Sequence, residues 1–237
     1  TSLKEQTGTF KTNVNGTIAI SDIIEKTNPE TRLMLCSTSE VYGASPIEKG
    51  KITEAFPIAP VNPYGVSKAA ADLYVRERAN SRGLPFFVTR AFAHTGPRRG
   101  KNFSISSDAY QIVRILKGYQ KPVIKVGTLS SQRIVMDVRD CVKAYSLLMD
   151  KAEKGGVYNV GGDHLFSMGQ ILDMMLEMSG LKGKVELEVD PALVRPIDIP
   201  VQICDTSKTR ELTGWKPEIP FEETLNDLLK YWKMKIE

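Results

Sequence analysis

The stretch "RLMLCSTSEVYG", residues 32–43, runs from an apolar segment into a polar turn. Its first part, 32–38, has the length and apolar character of a short buried strand, and helical periodicity lies on both sides of it. An apolar strand between helices is typical of a parallel sheet with both faces covered. The sequence therefore predicts an α/β fold built on a doubly wound, Rossmann-like parallel sheet.

The alternation of helix and strand continues outward from this stretch. Apolar residues at the helical period predict helices over 3–27, from about Tyr64 to a C-cap at Gly83, over 104–117, 138–152 and 167–180, and from about 221 to 233. Apolar runs predict further strands over 84–92, 122–127 and 156–162. The segment 44–60, rich in proline, is predicted to be a loop. This order of elements is that of successive βα units.

Composition argues against several classes of protein. Hydrophobic residues make up 41% of the 237 residues, enough for a real core, and the net charge of +4 is mild. Basic residues do not alternate with aromatic ones, so we expect no nucleic-acid binding. Without an apolar run of about 18 residues, we expect no membrane span. Cys36, Cys141 and Cys204 are odd in number and far apart, which predicts no disulfide framework and a reducing, cytoplasmic location.

One feature of a dinucleotide-binding sheet is missing from the sequence. Such a sheet opens with a strand, a glycine-rich turn and a helix that holds a pyrophosphate, but no GxGxxG follows a strand here. The glycines of "GGDHLFSMG", 161–169, have the wrong spacing and predict a helix-entry turn instead. At about 30 residues per βαβ unit, we expect roughly 60 to 80 residues of N-terminal βα units to lie upstream. The sequence does not start with methionine, and its first residues do not resemble a signal peptide.

Tyr64 and Lys68 are the first candidates for chemistry. In "PYGVSK", 63–68, they are four residues apart on a predicted helix, so they share a face about one turn apart. A phenol has a pKa of about 10, so at neutral pH it is protonated and acts as a poor base. A neighbouring ammonium group stabilises the phenolate and lowers that pKa. Tyr64 could then exchange a proton with a hydroxyl or ketone while a hydride moves to or from a nicotinamide. The alternative is a surface tyrosine beside a solvated lysine.

The polar turn after the predicted strand 32–38 supplies a second candidate group. In "CSTSEVYG", 36–43, three hydroxyls and the carboxylate of Glu40 lie where the strand ends. Ligands of open α/β sheets bind beyond the carboxyl ends of the strands. The turn could therefore hydrogen-bond a substrate hydroxyl and supply an acid or base. The alternative is a capped turn with a solvated Glu40.

These motifs occur with others in a characteristic order. "TFKTNVNGT" (with a structural asparagine, Asn13), "CSTSEVYG", "PYGVSK", "RAFAHTGPRRG", "VYNVGG", "RPIDIP" and "TGWKP" together resemble the extended short-chain dehydrogenase/reductase family. Its members of this kind are NAD-dependent epimerases and dehydratases of nucleotide sugars. The resemblance extends over essentially all 237 residues. It implies an enzyme that uses NADP or NAD, with a nucleotide-sugar substrate, most of all a GDP-sugar, and with no metal.

The resemblance also implies roles for individual residues. The implied catalytic residues are Tyr64, Lys68, Thr38 and Glu40. Cofactor binding is implied for Tyr64, Lys68, His94, Arg99 and Ser37. Substrate binding is implied for Ser39, Arg133 and Arg195, since the planar fork of arginine grips phosphate oxygens in pairs. A packed loop histidine and surface ion pairs are the alternatives for His94 and the arginines.

The activity implied first is the 4,6-dehydration of GDP-mannose, in which hydride leaves C4, water is eliminated across C5 and C6, and hydride returns to C6. A carboxylate at position 40 is needed for elimination and favours this activity over reduction of GDP-4-keto-6-deoxy-mannose. Another alternative is an epimerase or dehydratase of UDP- or dTDP-sugars. A non-catalytic remnant is a further alternative. It is motivated by the missing N-terminal βα units and by Ala93, which stands where the family usually has asparagine.

Domain organisation is implied by the same resemblance. Residues 1–95, with 128–160 returning to them, are expected to form the later part of a Rossmann-like cofactor domain. Residues 96–127 and 161–237 are expected to form mainly a smaller α/β domain for the nucleotide sugar. A homodimer or homotetramer is expected by analogy with relatives that pair through helices such as the one bearing Tyr64. Asp137 and Arg139 are expected to brace the following helix, and Trp215 to lie in the core or a lid.

Overall fold

The computed structural model describes residues 2–3, 5–43, 50–194 and 199–236. Its α-helices are α1 (Gln6–Phe10), α2 (Gly16–Thr27), α3 (Pro63–Arg82), α4 (Ser104–Leu116), α5 (Val138–Lys151), α6 (Met168–Met178), α7 (Ser207–Thr213) and α8 (Phe221–Lys235). Its strands are β1 (Leu33–Thr38), β2 (Phe86–Ala91), β3 (Ala93–Thr95), β4 (Val123–Val126), β5 (Gln132–Asp137), β6 (Val157–Val160), β7 (Leu165–Ser167), β8 (Glu186–Val189) and β9 (Val201–Gln202). A π-helical segment, Lys11–Asn15, joins α1 to α2, and Ser39–Val41 form a 3₁₀ turn after β1.

The first of two compact units is built on a parallel sheet. It comprises described residues within 1–92, 141–161 and 203–216. The strand order is β1-β2-β6, with Leu33 opposite Phe86 and Ala91 opposite Val160. Helix α3 packs on β1 and β2. The core between helix and sheet is Leu35, Ala71, Val75, Ala79, Leu84, Phe86, Val88 and Val157. Parallel neighbours joined through a helix confirm the predicted α/β class.

The second compact unit is a mixed α/β arrangement. It comprises described residues within 93–140, 162–202 and 217–237. Strand β5 pairs with β3 and β9 in parallel and with β7 antiparallel, and β4 pairs with β8 in parallel. Its apolar core draws on α4, α6 and α8, whose buried faces carry residues such as Ile112, Met175 and Leu228. Among the helices in the described ranges, none is long and apolar enough to cross a membrane.

The compact units and the predicted domains divide the chain somewhat differently. They differ mainly at 128–140, which lies in the second unit, and at 203–216, which lies in the first. Compactness does not show which part binds a cofactor or a sugar, so the predicted division by ligand stays a prediction. The "GGDHLFSMG" segment does enter a helix as expected: Ser167 caps α6 and forms a reciprocal capping box with Gln170.

Asp137 links the start of α5 to α8 in the second unit. Its Oδ1 accepts hydrogen bonds from the backbone N–H of Arg139 at 2.7 Å and from Nε of that residue at 2.9 Å. Its Oδ2 accepts from Arg139 Nη2 at 2.8 Å and from the hydroxyl of Thr224 on α8 at 2.8 Å. Burial acts to raise the pKa of Asp137, but these hydrogen bonds and the guanidinium charge outweigh it and lower that pKa. The expected bracing role is therefore confirmed.

Asp137→Asn is expected to lower the free energy of unfolding by about 2 kcal/mol at pH 7, because charged hydrogen bonds of a buried group are lost. The folded-state pKa lies below the ordinary carboxyl value, so the stabilisation is present above that value and is lost as the pH falls through the folded pKa. The difference between parent and variant should therefore shrink below about pH 4. Urea unfolding across pH measures it.

Asp173→Asn, at an exposed position of α6, is the matched control and should change stability by less than about 0.5 kcal/mol at any of these pH values. A difference between parent and Asp137→Asn that stays constant down to pH 3 would contradict an ionised Asp137 as the stabilising species.

Candidate active site

The carboxyl end of β1 forms the first part of the site. Thr38 is extended there, with φ −156° and ψ 154°, and its Oγ1 accepts a hydrogen bond from the backbone N–H of Glu40 at 3.3 Å. Val41 and Tyr42 follow and are fully buried, which anchors the 3₁₀ turn. The threonine cap and the apolar anchor together fix the turn and leave the Glu40 side chain only partly buried.

The start of α3 forms the second part of the site. Asn62 is the N-cap: its Oδ1 accepts from the backbone N–H of Gly65 at 2.8 Å, and Pro63 occupies the first turn. The other end of the same amide, Nδ2, donates to Oε2 of Glu40 at 2.7 Å. The residue that starts the helix of Tyr64 therefore also binds the predicted catalytic carboxylate.

Gly65 allows the turn and the helix to approach closely. A Cβ at this position would lie 2.9 Å from the carbonyl oxygen of Glu40 and 3.0 Å from Cβ of Pro60. Such distances are shorter than non-bonded carbon contacts allow, so the backbone of α3 can touch the turn only because position 65 is glycine.

Tyr64 is held through its backbone from the opposite side. Asn13 Nδ2 donates to Ser67 Oγ at 2.9 Å, and that hydroxyl donates to the carbonyl oxygen of Tyr64 at 2.8 Å. Asn13 lies in the π-helical segment, a departure from regular helix that often occurs at functional sites. The Tyr64 side chain itself is 37% exposed, so it is accessible to a ligand.

Lys68 lies one turn beyond Tyr64 on α3 and is half-buried. Burial lowers the pKa of Lys68, while interactions with Cys36 on β1 and with Asp72 on α3 act to raise it. The ammonium group therefore lies near the end of β1 as well as on the helix of Tyr64. Cys36, a free cysteine, is a neighbour that the sequence did not predict.

A buried ion pair ties α3 to the strands. Arg90 on β2 is 1% exposed and donates through Nε and Nη2 to the two carboxylate oxygens of Asp72, at 2.9 and 3.0 Å. Its Nη1 donates to the hydroxyl of Tyr42 at 3.1 Å, and that hydroxyl donates to Oδ1 of Asn159 on β6 at 2.7 Å. The network connects the turn of Glu40, the helix of Lys68 and the sheet.

Ser37 near the end of β1 and Ser39 at the start of the turn flank Thr38, and both are buried. The hydroxyl of Ser37 has no hydrogen-bond partner within the described part of the chain. A buried hydroxyl without a partner is costly unless a ligand or water satisfies it. Ser37 at the carboxyl end of a strand is therefore suited to contact a polar ligand group.

The other predicted residues lie in the second unit or are not among the described residues. His94 is in β3, half-buried and paired with Met136. The guanidinium of Arg99 lies 3.5 Å from the ring centroid of Phe103, and Arg133 Nη1 donates to the carbonyl of Gln132 at 2.8 Å. Arg195 lies outside the described residues. No metal-binding cluster of His, Cys, Asp or Glu occurs in the described ranges.

The structure therefore brings Thr38, Ser39 and Glu40 together with the helix of Tyr64 and Lys68. Sequence reasoning missed Asn62, although asparagine directly before proline at the start of a helix is a recognised capping signal. The Arg90–Asp72 pair was also missed, because nothing in the spacing indicates that two charges of opposite sign become buried together.

Comparison with known proteins shows the family of the chain. A family model described as GDP-mannose 4,6 dehydratase matches residues 1–228. The GDP-6-deoxy-D-mannose reductase of Pseudomonas aeruginosa is 30% identical over 230 residues, which are 96% of this chain and 74% of the relative. Both similarities extend over the β1 turn and α3, the two elements that carry the candidate catalytic residues.

Solved structures show the same fold. The structure of RMD from Pseudomonas aeruginosa complexed with NADPH matches 99% of this chain and 77% of that chain, with a TM-score of 0.92 and 27% identity. A dTDP-glucose 4,6-dehydratase from Bacillus anthracis in complex with NAD matches 95% of this chain and 68% of that chain, with a TM-score of 0.84 and 26% identity. The predicted Rossmann-like fold class is confirmed.

Arg90→Met is expected to lower the free energy of unfolding by about 3 to 5 kcal/mol, because Asp72 is left buried without its counter-charge. The double variant Arg90→Met/Asp72→Leu removes both charges and should recover a large part of the loss. Arg82→Met, at a mostly exposed arginine of α3, should cost less than about 1 kcal/mol. Urea unfolding compares the three; a double variant no more stable than Arg90→Met would contradict this account.

Proposed function

Because this chain belongs to the GDP-mannose 4,6 dehydratase family, whose members are NAD(P)-dependent enzymes of nucleotide sugars, we propose that it catalyses the 4,6-dehydration of a GDP-sugar, most of all GDP-mannose. One observation carries the proposal. The carboxylate of Glu40 is bound by Asn62 at the start of the helix that bears Tyr64 and Lys68. Elimination of water needs such a carboxylate, and simple reduction does not.

The residues present fit a nicotinamide dinucleotide. Ser37 offers a buried hydroxyl without a partner at the carboxyl end of β1, and Tyr64 and Lys68 lie on the helix that starts beside that turn. We propose that these residues, with His94 and Arg99 of the second unit, bind NADP or NAD. When bound, the cofactor supplies the acceptor for the hydride from sugar C4 and the donor of the hydride that returns to C6.

Tyr64 moves the first proton in this proposal. It removes the proton of the sugar 4-hydroxyl as the C4–H bond breaks, so that C4 becomes a ketone. The Lys68 ammonium one turn away stabilises the phenolate form that does this. Tyr64 is exposed and can be reached by a substrate, whereas Lys68 is partly buried.

Glu40 and Thr38 carry out the elimination. The C4 ketone makes the C5 proton acidic, and Glu40 removes it. The bond between C6 and its hydroxyl then breaks, and the hydroxyl leaves as water with a proton from Glu40, aided by Thr38. With hydride returned to C6, C5 takes a proton from solvent and Tyr64 releases to solvent the proton it took from the 4-hydroxyl, so that the 4-keto-6-deoxy sugar is complete and Tyr64 is again ready to accept a proton. The hydrogen bond from the Glu40 backbone to Thr38 keeps both groups on one short turn.

Binding of the nucleotide sugar is assigned, as a proposal, to three residues of the motifs. Ser39 lies in the catalytic turn and is suited to a sugar hydroxyl. Arg133 on β5 is suited to a diphosphate because its guanidinium can bind two phosphate oxygens. Arg195 has the same role as a prediction from the sequence. A homodimer or homotetramer and a cytoplasmic location also stay predictions, the latter supported by three free cysteines.

Reduction of a 4-keto-6-deoxy nucleotide sugar is the second candidate. The 30% identity to a GDP-6-deoxy-D-mannose reductase and the TM-score of 0.92 to RMD favour it. This reaction needs Tyr64 as proton donor and Lys68 beside it, but leaves Glu40 without a chemical role. The activity of Glu40 variants therefore distinguishes the two candidate reactions.

Tyr64→Phe in the full-length protein is expected to lower kcat at least about a hundredfold, because the only group lost is the hydroxyl that relays the proton. Binding of the nucleotide sugar, measured by calorimetry, should change by less than about threefold. Tyr119→Phe, at an exposed tyrosine of the second unit, is the matched control. Activity of Tyr64→Phe within tenfold of the parent would contradict the role.

Incubation of the full-length protein with GDP-mannose and NADP is expected to give a product that has lost one water, detected by mass spectrometry. Glu40→Gln should abolish this loss, because an amide cannot accept the C5 proton, while Glu30→Gln, at an exposed position, should not. If the parent instead only reduces a supplied 4-keto sugar, and Glu40→Gln does so equally well, the reductase candidate replaces the dehydratase.

A further inference from the structure

We infer that Asn62 is a positioning residue for the elimination step: it holds the Glu40 carboxylate at a fixed distance from the start of the Tyr64 helix. The inference rests on the proposed function and goes beyond it by assigning a role to a residue outside the catalytic motifs. Asn62 does not touch the reacting atoms in this scheme; it acts through Glu40.

Both ends of the Asn62 amide are engaged, which fixes its orientation. Oδ1 accepts from the backbone N–H of Gly65 at 2.8 Å, and Nδ2 donates to Oε2 of Glu40 at 2.7 Å. Exchanging the two amide atoms would set oxygen against carboxylate and nitrogen against N–H, so only one orientation satisfies both partners. The hydrogen bond to a carboxylate is of the charge-assisted kind, which is shorter and stronger than a neutral one.

The distance that Asn62 spans is set independently by the backbone. The absence of a side chain at Gly65 lets α3 lie against the carbonyl of Glu40, where a Cβ would come within 2.9 Å. The cap residue and the carboxylate are thus brought to hydrogen-bonding distance by a rigid contact between helix and turn. A side chain of a different length at position 62 would not reach Glu40 from there.

Capping alone does not explain an asparagine at this position. Serine, threonine and aspartate also cap helices well. Among these residues, only asparagine carries its donor on a second atom; a capping serine or threonine has only the O–H of the same oxygen to donate, on a shorter side chain. Aspartate would cap the helix equally but would place a second carboxylate against Glu40. The choice of asparagine therefore satisfies the helix and the carboxylate together.

Two variants that both keep the cap test the inference in the full-length enzyme. Asn62→Ser removes the donor to Glu40, and Asn62→Asp replaces it with a like charge. We expect kcat for water loss to fall about tenfold to a hundredfold in Asn62→Ser and further in Asn62→Asp, because a displaced base is a poor base. KM should change by less than about threefold, since substrate contacts are kept.

The pH dependence separates positioning from general damage to the structure. The acidic limb of the pH profile of water loss should move up by about one pH unit or more in Asn62→Asp, because two adjacent carboxylates resist double ionisation. It should move up less in Asn62→Ser, which removes one hydrogen bond to the ionised carboxylate but adds no like charge. A purely structural cap predicts equal activities and unshifted profiles for both. Equal activities of the two variants, unshifted profiles for both, or water loss within threefold of the parent in Asn62→Ser would each overturn the inference.

A double-mutant cycle gives a measurement that needs no turnover. If Asn62 and Glu40 interact, the melting temperature of Asn62→Ser/Glu40→Ala should lie above the value expected from adding the shifts of the single variants. Additive shifts would overturn the inference. A parent enzyme that eliminates no water overturns the proposed function, whatever this cycle shows. A parent that eliminates water, with Asn62→Ser as active as the parent, overturns only the role of Asn62.

Discussion

The buried ion pair between Arg90 and Asp72 is the interaction on which the geometry of the first unit depends. Removing two charges from water costs several kcal/mol, and only good geometry with further hydrogen bonds offsets that cost. Here the guanidinium makes two parallel bonds to the carboxylate, and a third donor reaches Tyr42. Asp72 follows Lys68 by one turn, and Tyr42 follows Glu40 by two residues. A shift of Arg90 would therefore move α3 and the turn of Glu40 against each other.

This constraint bears on the choice between elimination and reduction. Both reactions use a tyrosine whose proton is managed by a nearby lysine, so the fold and the Tyr64–Lys68 spacing do not separate them. A carboxylate that merely pointed to solvent would be equally compatible with either. The Glu40 carboxylate instead receives a charge-assisted hydrogen bond from the helix cap. A group held in this way at the end of β1 suits a base that must meet one particular proton, as the proposed dehydration requires.

Local patterns in the sequence predicted the long helices and missed several strands, among them the six-residue β5. Helix α3, for example, begins at the predicted Pro-Tyr motif and ends at the predicted Gly83, which is left-handed with φ 72°. The predicted strand 84–92 is shorter, as β2, and its downstream neighbour β3 has only three residues. Strands such as β7 and β9 are too short to show a period of two and exist because β5 pairs with them. Contacts such as the one between Asn62 and Glu40 join residues that are far apart in the chain, and local sequence patterns do not predict them.

The hydroxyls of the turn show which polar groups the fold uses and which it leaves for a ligand. Thr38 Oγ1 accepts a hydrogen bond from the Glu40 backbone, and a hydroxyl that accepts in this way still has its own O–H to donate. That donor lies two residues from the carboxylate and is suited to a departing sugar oxygen. Ser37 has no partner in the part of the chain described, although it is as buried as Thr38 and Ser39. Since a buried hydroxyl without a partner destabilises the fold, its presence at the carboxyl end of β1 is best explained by a bound polar group such as the cofactor.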